Sequence, residues 1–294
     1  MGSEAAVLIF ESHGERLRSI AYRTLGSHAD AEDAVQEAWL RLERQEPTTI
    51  ENLPAWLTTV VGRICIDKLR SRSARREVYF QHQLSELVVS ADESLEDQAA
   101  QTETVGIALL IMMERLTPDE RIAWVLHDVF AVPFAQIGQI IGKSVDASKM
   151  LASRARRKLQ ATPVSSSPRQ QHQVVDAFLA AAQRGDFKGL LEVLDPDVLW
   201  TTHTRHGVNV RSGAEEVAGS ARKGSDLDVI SRRVVVNGDP GILVWDRRGR
   251  PRAFMACVVG ETKIVEIHSV VDRLLLMSMR LPPPPVVSSS TQGR

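Results

Sequence analysis

A pair of short helices joined at a glycine constrains this chain most, and it lies in VPFAQIGQIIGKSVDASKMLASRARRKL, residues 132–159. The first helix is predicted over 134–141, because Pro133 precedes it and Gly142 can adopt the positive φ that ends a helix. Ser144 is a suitable N-cap for the second helix. The apolar face of that second helix comprises Val145, Ala152, Ala155 and Leu159. The pattern predicts a helix-turn-helix, with an ordinary solvated pair of basic helices as the alternative.

Charge is concentrated in local segments of the chain. The net charge is −1, so the global basic excess of a histone-like binder is absent. Six cations and one acid lie within 143–158, and the same excess occurs within 63–76. Residues 28–46 carry six acids and two arginines. Separate basic and acidic helices indicate several dedicated surfaces.

Composition places the chain among ordinary soluble proteins. Its 294 residues are 43% hydrophobic and 25% charged, which predicts two or three domains. Cys65 and Cys257 are too few and too far apart for a metal site or a disulfide framework. Neither a signal sequence nor a run of about 18 apolar residues is present. We therefore expect a cytoplasmic, reduced protein with no membrane contact, no metal and no cofactor.

The periodicity of the chain changes after residue 172. Helical patterns fill most of the preceding sequence, and two polar stretches interrupt them. Two further helices then lead into strand-like runs that alternate with turn signals such as Asn237-Gly238. A short helix over 214–222 interrupts the runs. This order predicts an α+β domain with a curved antiparallel sheet, followed by a proline-rich tail that we expect to be disordered.

Three segments resemble parts of a bacterial sigma factor of the extracytoplasmic-function (ECF) type. HADAEDAVQEAWLRL, residues 28–42, resembles the helix of sigma domain 2 that docks on the clamp of core RNA polymerase. Residues 55–77, AWLTTVVGRICIDKLRSRSARRE, resemble the promoter-opening, −10-reading segment of that domain. Residues 116–159 resemble sigma domain 4, which reads the −35 element. The C-terminal block resembles the cone-shaped SnoaL-like fold that some of these sigma factors carry.

The resemblance implies a multidomain chain in which two all-α sigma domains precede an α+β SnoaL-like cone domain. Its parts are sigma domain 2 (1–77), a linker (78–104), sigma domain 4 (105–161), a second linker (162–172), the SnoaL-like domain (173–281) and the tail (282–294). The implied partners are core RNA polymerase and promoter DNA. The implied function is promoter-specific transcription initiation, with an intramolecular contact between the C-terminal domain and the sigma domains that modulates activity in cis.

The resemblance also assigns site residues. Polymerase binding falls to three acids on one face of the acidic helix: Asp30, Asp33 and Glu37. Attraction to the phosphates of the separated −10 strands falls to Arg63, Lys68, Arg70, Arg72, Arg75 and Arg76. Near the −35 base edges we expect Asp146, Ala147, Lys149 and Met150. Near the −35 phosphates we expect Arg154, Arg157 and Lys158.

Two other functional classes remain open for the C-terminal block. SnoaL-like folds include enzymes, and the acid–base candidates here are His203, His206, Asp246 and His268. A lone histidine on a strand is more often structural, so we expect no catalysis. The alternative function is a self-standing helix-turn-helix regulator with a ligand-sensing cone. Such a regulator does not need an acidic docking helix and a separate basic segment, which favours the sigma factor.

Overall fold

The chain folds into two compact units. The computed structural model describes residues 3–45, 50–74, 84, 87, 89–91, 107–160, 167–223 and 228–285. The first unit comprises Met1–Glu86 and Leu109–Ala161, and the second comprises Leu87–Ala108 and Thr162–Arg294. The two segments that resemble sigma domains therefore pack into one unit. None of the described helices is both long enough and apolar enough to cross a membrane.

Helices build the first unit. Their bounds are α1 (Ser3–Leu25), α2 (His28–Glu43), α3 (Leu53–Ala74), α4 (Ile107–Met113), α5 (Pro118–Trp124), a π-helical turn (Val125–Val129), α6 (Phe134–Ile141) and α7 (Val145–Gln160). Ser27 caps α2 by accepting a hydrogen bond from the Asp30 amide. Thr117 and Glu120 form a capping box at the start of α5. The core between α1 and α3 buries large aliphatic side chains such as Leu17 and Leu57.

The helix-turn-helix forms where the sequence predicts it. Helix α6 ends at Gly142, whose φ is +72°, and the Ala147 amide donates to Ser144 Oγ at 3.2 Å. The predicted apolar face of α7 is wrong at Val145, which is 41% exposed. Ser148 takes the buried position in line with Ala152 and Ala155, because its small hydroxyl donates to the Ser144 carbonyl at 2.9 Å.

One mixed sheet and four helices form the described part of the second unit. The helices are α8 (Pro168–Arg184), α9 (Phe187–Val193), α10 (Ala214–Arg222) and α11 (Arg273–Ser278). The strands are β1 (Val89–Ser90), β2 (Leu194–Thr204), β3 (Gly207–Ser212), β4 (Val229–Val236), β5 (Asp239–Asp246), β6 (Pro251–Val259) and β7 (Ile264–Val270). Their order in the sheet is β1-β4-β5-β6-β7-β2-β3.

The prediction of an antiparallel sheet is wrong for one strand pair. Strands β2 and β7 run parallel, with Trp200 opposite Ile267. Strand β3, helix α10 and strands β4–β6 lie between them in sequence, and parallel pairing requires such a long connection. The predicted turn at Asn237-Gly238 is confirmed, since both residues have positive φ and join β4 to β5.

Helix α8 begins earlier than the sequence pattern indicates. The sequence pattern predicts that this helix begins at Val174. In the structure it begins at Pro168, where Ser167 and Gln170 form a capping box. The polar first turn carries no apolar periodicity, so only the capping chemistry marks it. Of the predicted 162–172 linker, residues 162–166 lie outside the described residues. The tail beyond residue 285 lies outside them too.

A short piece of the predicted 78–104 linker belongs to the second unit. Strand β1 pairs antiparallel with β4, so that Val89 lies opposite Val236 and Ser90 opposite Val235. The guanidinium of Arg232 donates to the Ala91 carbonyl at 3.0 Å. Strand β4 would otherwise be an edge of the sheet, and an edge strand has backbone groups available for a further strand. The linker segment therefore completes this edge.

Close packing at Gly138 yields the first prediction. A Cβ atom there would lie 2.6 Å from the Lys143 carbonyl oxygen, which belongs to the backbone of the turn. We expect Gly138→Ala to lower the free energy of unfolding by about 1–3 kcal/mol, as overpacking does. Urea unfolding followed by far-UV circular dichroism measures this.

The matched control is Gly14→Ala in α1 of the same unit. The atoms nearest to its Cβ would be those of the flexible Arg18 side chain, from 3.5 Å. Alanine also favours a helix interior by about 0.5–1 kcal/mol over glycine, so Gly14→Ala should not destabilise. Equal destabilisation by both variants would show that the turn packing is not what restricts residue 138.

Candidate nucleic-acid interface

Helix α7 presents the outward face expected of a recognition helix. Asp146, Lys149 and Met150 are exposed, and Ala147 is half-buried. Lys149 Nζ lies 3.3 Å from Asp146 Oδ1, an exposed ion pair that contributes little to stability. Met150 is an exposed apolar side chain, at 57%. The four residues expected near base edges thus share the solvent side of one helix.

The cations at the end of α7 divide into two groups. Arg154 and Arg157 are exposed and form no ion pair with any residue that the structure describes. Lys158 instead binds the Glu120 carboxylate at 2.7 Å and the Arg115 carbonyl at 3.3 Å. Arg156 similarly binds Asp128 at 2.5 Å. Arg154 and Arg157 are therefore the members of the predicted phosphate set that point to solvent.

The Lys158–Glu120 pair ties α7 to the start of α5. Glu120 is buried, and burial by itself would raise the pKa of its carboxyl. Hydrogen bonds from Lys158 and Thr117 outweigh that effect and hold the pKa below its usual value. The carboxylate is therefore charged and satisfied at neutral pH, so Lys158 has a structural role.

Two cations of α3 bind the acidic helix α2. Arg72 forms an ion pair with Asp30, and Lys68 Nζ lies 3.5 Å from Asp30 Oδ1 and 3.6 Å from Asp33 Oδ2. Burial would raise the pKa of Asp30, but the hydrogen bond and charge of Arg72, followed by Lys68, lower it. These contacts join two of the predicted −10 cations to two of the predicted polymerase-binding acids.

The three predicted polymerase-binding acids differ in exposure. The Asp30 side chain is only 20% exposed because α3 covers it. Asp33 is 70% exposed, and Glu37 is half-exposed and pairs with Arg41 of its own helix at 2.5 Å. Asp33 and Glu37 are thus the more exposed acids of the predicted face. Asp30 instead holds α2 against α3 through its ion pairs.

The other described cations of α3 bind the helix-turn-helix. Arg63 donates to the Gln139 carbonyl at 3.2 Å, and Arg70 donates to the Ile141 carbonyl at 3.2 Å. Both acceptors belong to the last turn of α6, whose carbonyls lack partners within the helix and carry partial negative charge. Arg70 also forms an ion pair with Asp119 at 2.9 Å. Arg75 and Arg76 lie outside the described residues.

Helices α3 and α6 are in close contact along their sides. A Cβ on Gly62 would lie 3.0 Å from Ile140 Cδ1, so the two helices approach closely at this glycine. Gln136 Nε2 donates to the Ala55 carbonyl at 2.7 Å and to Thr59 Oγ1 at 3.1 Å. The segment that resembles the −10 reader therefore packs against the first helix of the predicted −35 reader.

The acid–base candidates of the C-terminal domain do not form one site. His203 and His268 lie together, with ring centroids 5.9 Å apart, and His268 Nε2 lies 2.8 Å from Glu266 Oε1. Burial, with a smaller contribution from the charge of His268, lowers the pKa of His203 to about 4. His206 is exposed in the β2–β3 turn, and Asp246 accepts backbone hydrogen bonds in the β5–β6 turn.

Strand alternation places the buried histidines on the face of the sheet opposite to the one that packs against the helices. Trp200 Nε1 donates to Ser269 Oγ at 2.8 Å, and both belong to the face that packs against the helices of this unit. His268 and Glu266 alternate with Ser269 along β7, so they point to the opposite face. Sequence reasoning missed Glu266 and Ser269, which read as ordinary strand residues.

The contrast between neighbouring cations of α7 yields the second prediction. Lys158→Gln leaves buried Glu120 without its cation and should cost about 1–3 kcal/mol of stability. Arg157→Gln should change stability by no more than about 0.5 kcal/mol. For DNA binding, loss of one phosphate contact should lower the salt slope of Arg157→Gln by about one unit. Urea unfolding and salt-dependent binding measure the two effects.

The acid dependence of stability provides a check on the same pair. Because the folded-state pKa of Glu120 is lowered, its contribution is present above the unfolded pKa and is lost as the pH falls through the folded value. The wild-type protein should therefore lose more stability between pH 7 and acid than Lys158→Gln does. If the free energy of unfolding fell equally with pH in the two proteins, Lys158 would not have the structural role inferred for it.

Comparison with known families matches three parts of the chain. Sigma-70 region 2 matches residues 9–75, Sigma-70 region 4 matches residues 107–159, and a SnoaL-like domain matches residues 175–271. The crystal structure of the extracytoplasmic-function sigma factor SigJ from Mycobacterium tuberculosis aligns with a TM-score of 0.64 at 30% identity. That alignment covers 94% of this chain and 100% of SigJ.

Full-length relatives give the same result. The sequence of SigJ from Mycobacterium tuberculosis is 43% identical over 222 residues, which cover 74% of this chain and 69% of the relative. The probable ECF RNA polymerase sigma factor SigI from the same species is 36% identical over 278 residues, 92% of this chain and 94% of the relative. This chain belongs to the extracytoplasmic-function RNA polymerase sigma factors that carry a C-terminal SnoaL-like domain, a family whose partners are core RNA polymerase and promoter DNA.

Proposed function

We propose that this sigma factor is closed before it meets polymerase, with its −10 and −35 readers packed together, and that it must open to initiate transcription. The observation that supports this proposal most is that Arg63 and Arg70 donate hydrogen bonds to carbonyls in the last turn of α6. The same guanidinium groups are assigned to the phosphates of the −10 region. DNA and the helix-turn-helix therefore compete for one set of cations.

Promoter geometry supports the need for opening. The two promoter elements are named for positions about 25 base pairs apart, which is roughly 85 Å of duplex DNA at about 3.4 Å per base pair. Helices α3 and α6 are in van der Waals contact at Gly62 and Ile140. Two readers in contact cannot engage elements that far apart on one duplex, so the contact must be broken on the promoter.

We further propose that the C-terminal domain modulates this transition in cis through the linker. Strand β1 fixes residues 89–91 of the predicted linker on β4, at a point between α3 and α4 in the chain. The second linker expected between α7 and α8 is short, and short flexible linkers give roughly millimolar effective concentrations. Weak contacts of the domain with the sigma domains would then be populated and would bias their separation.

Docking on polymerase is proposed to use Asp33 and Glu37. The third prediction concerns the double variant Asp33→Lys/Glu37→Lys, which should weaken core binding at least tenfold through charge repulsion. Exposed helix positions change stability little, so the fold should be retained. The matched control is Glu11→Lys/Glu15→Lys, an exposed pair on α1 with the same spacing and charge change. Equal core affinities of the two double variants would place the docking surface elsewhere.

The closed arrangement yields the fourth prediction. The chain alone should bind duplex promoter DNA weakly, and it should bind specifically and open the −10 region only with core polymerase. Electrophoretic mobility shift with and without core, combined with permanganate footprinting, measures both properties. Tight, sequence-specific binding of the chain alone would favour the self-standing regulator.

The linker strand yields the fifth prediction. Val89→Asp buries a charge in β1, and Arg232→Gln removes the hydrogen bond to Ala91, so both should release the linker from β4. Truncation after Ala161 removes the C-terminal domain and should change the output of run-off transcription several-fold at matched core occupancy. We expect each of the two variants to change that output in the same direction as the truncation. Arg248→Gln, at an exposed turn outside the linker contact, is the control. Identical output from all proteins would contradict cis modulation.

A further inference from the structure

A cavity of about 1200 Å³ lies within the C-terminal domain. Residues of helices α8, α10 and α11 line it together with the face of the sheet that packs against the helices. Its interior is apolar, with Phe178, Trp200, Ile242, Met255 and Leu276 among the lining side chains. Cavities of several hundred Å³ or more with apolar walls and a few polar groups are typical of small-molecule sites.

The rim of this cavity carries an excess of positive charge. Its acids are Asp228 and Asp246, and its cations are Lys223, Arg250, Arg252 and Arg273. Both acids are already paired, Asp246 with Arg250 at 2.9 Å and Asp228 with Arg247. Hydrogen bonds from Arg250 hold the pKa of the Asp246 carboxyl below its usual value, so it is charged at neutral pH.

Three exposed cations remain for a ligand. Lys223, Arg252 and Arg273 form no ion pair with any residue in the described part of the chain. Lys223 follows α10, Arg252 lies on β6 and Arg273 begins α11, so the three cations come from three different elements that line the cavity. An anionic group at the opening would meet these cations, while an apolar body would fill the interior.

We propose that this cavity binds an amphipathic carboxylate, a molecule with an extended apolar body and one anionic head. The inference goes beyond transcription initiation and does not depend on it, because its test reads ligand binding directly. The acid–base candidates His203 and His268 lie on the opposite face of the sheet from the cavity wall. The site therefore binds its ligand without a general base of this pair beside it.

Isothermal titration calorimetry of the full chain with three probes of equal chain length tests the proposal. The probes are decanoate, 1-decanol and decyltrimethylammonium, each below its aggregation concentration. We expect one decanoate per chain, bound about tenfold more tightly than decanol, with the ammonium probe weakest. Added salt should reduce the preference for decanoate over decanol, since exposed charges are screened. Absence of binding, or equal affinity for decanoate and decanol, would overturn the proposal.

A charge-matched pair of variants tests the role of the rim. Arg252→Gln/Arg273→Gln should weaken decanoate binding about five- to tenfold, the range for two exposed charge contacts, and should leave decanol binding unchanged. Arg248→Gln/Arg280→Gln removes the same net charge from exposed arginines outside the cavity lining. It should leave decanoate affinity unchanged. An equal loss of decanoate affinity in both double variants would show that only the net charge of the protein matters, and it would contradict the assigned head-group site.

Filling the cavity tests the location of the ligand. Met255→Trp and Ala182→Phe enlarge two lining side chains on different elements, and far-UV circular dichroism identifies which variant retains the fold. A folded variant should lose decanoate binding at least tenfold. Co-sedimentation with phosphatidylglycerol vesicles separates a soluble carboxylate from a membrane lipid. Unchanged decanoate binding in a folded, filled variant would overturn the proposal. Co-sedimentation of both filled variants with the vesicles would overturn it too, because the protein would then bind lipid without using the cavity.

Discussion

The last turn of α6 presents backbone carbonyls that lack partners within the helix, and two arginines of α3 donate to them. Arg63 and Arg70 thereby satisfy these carbonyls and bring the predicted −10 segment against the helix-turn-helix. The close approach at Gly62 and the hydrogen bonds of Gln136 extend the same contact. Two of the six cations assigned to the −10 phosphates therefore hold this interface in the free chain, which is the basis of the proposed competition with DNA.

Local chemistry explains which features the sequence could predict. The bounds of α6 and the cap of α7 depend on Pro133, Gly142 and Ser144, which act on their immediate neighbours. The family resemblance then supplied the domain order and the function. The exposed positions of Lys149 and Met150 follow from the helical period once the buried face is known.

Features that depend on distant partners were not predictable in the same way. Asp30 reads as an exposed acid on α2, yet its environment is set by Arg72 on another helix. Lys158 reads as one more cation, yet buried Glu120 gives it a structural role. The pairing of β1 with β4 joins segments that are more than a hundred residues apart, and a two-residue strand has no detectable period. In each case the partner lies far along the chain.

The central claim is that the two readers separate on the promoter, and a distance measurement tests it most directly. Exposed Ser71 on α3 and Ser153 on α7 can be changed to cysteine and labelled, after the buried Cys65 and Cys257 are replaced by alanine. Single-molecule energy transfer should be high in the free chain. With core polymerase and promoter DNA, the transfer efficiency should fall, because the distance between the labels should rise towards the roughly 85 Å expected from about 3.4 Å per base pair. Unchanged transfer in the promoter complex would contradict the account.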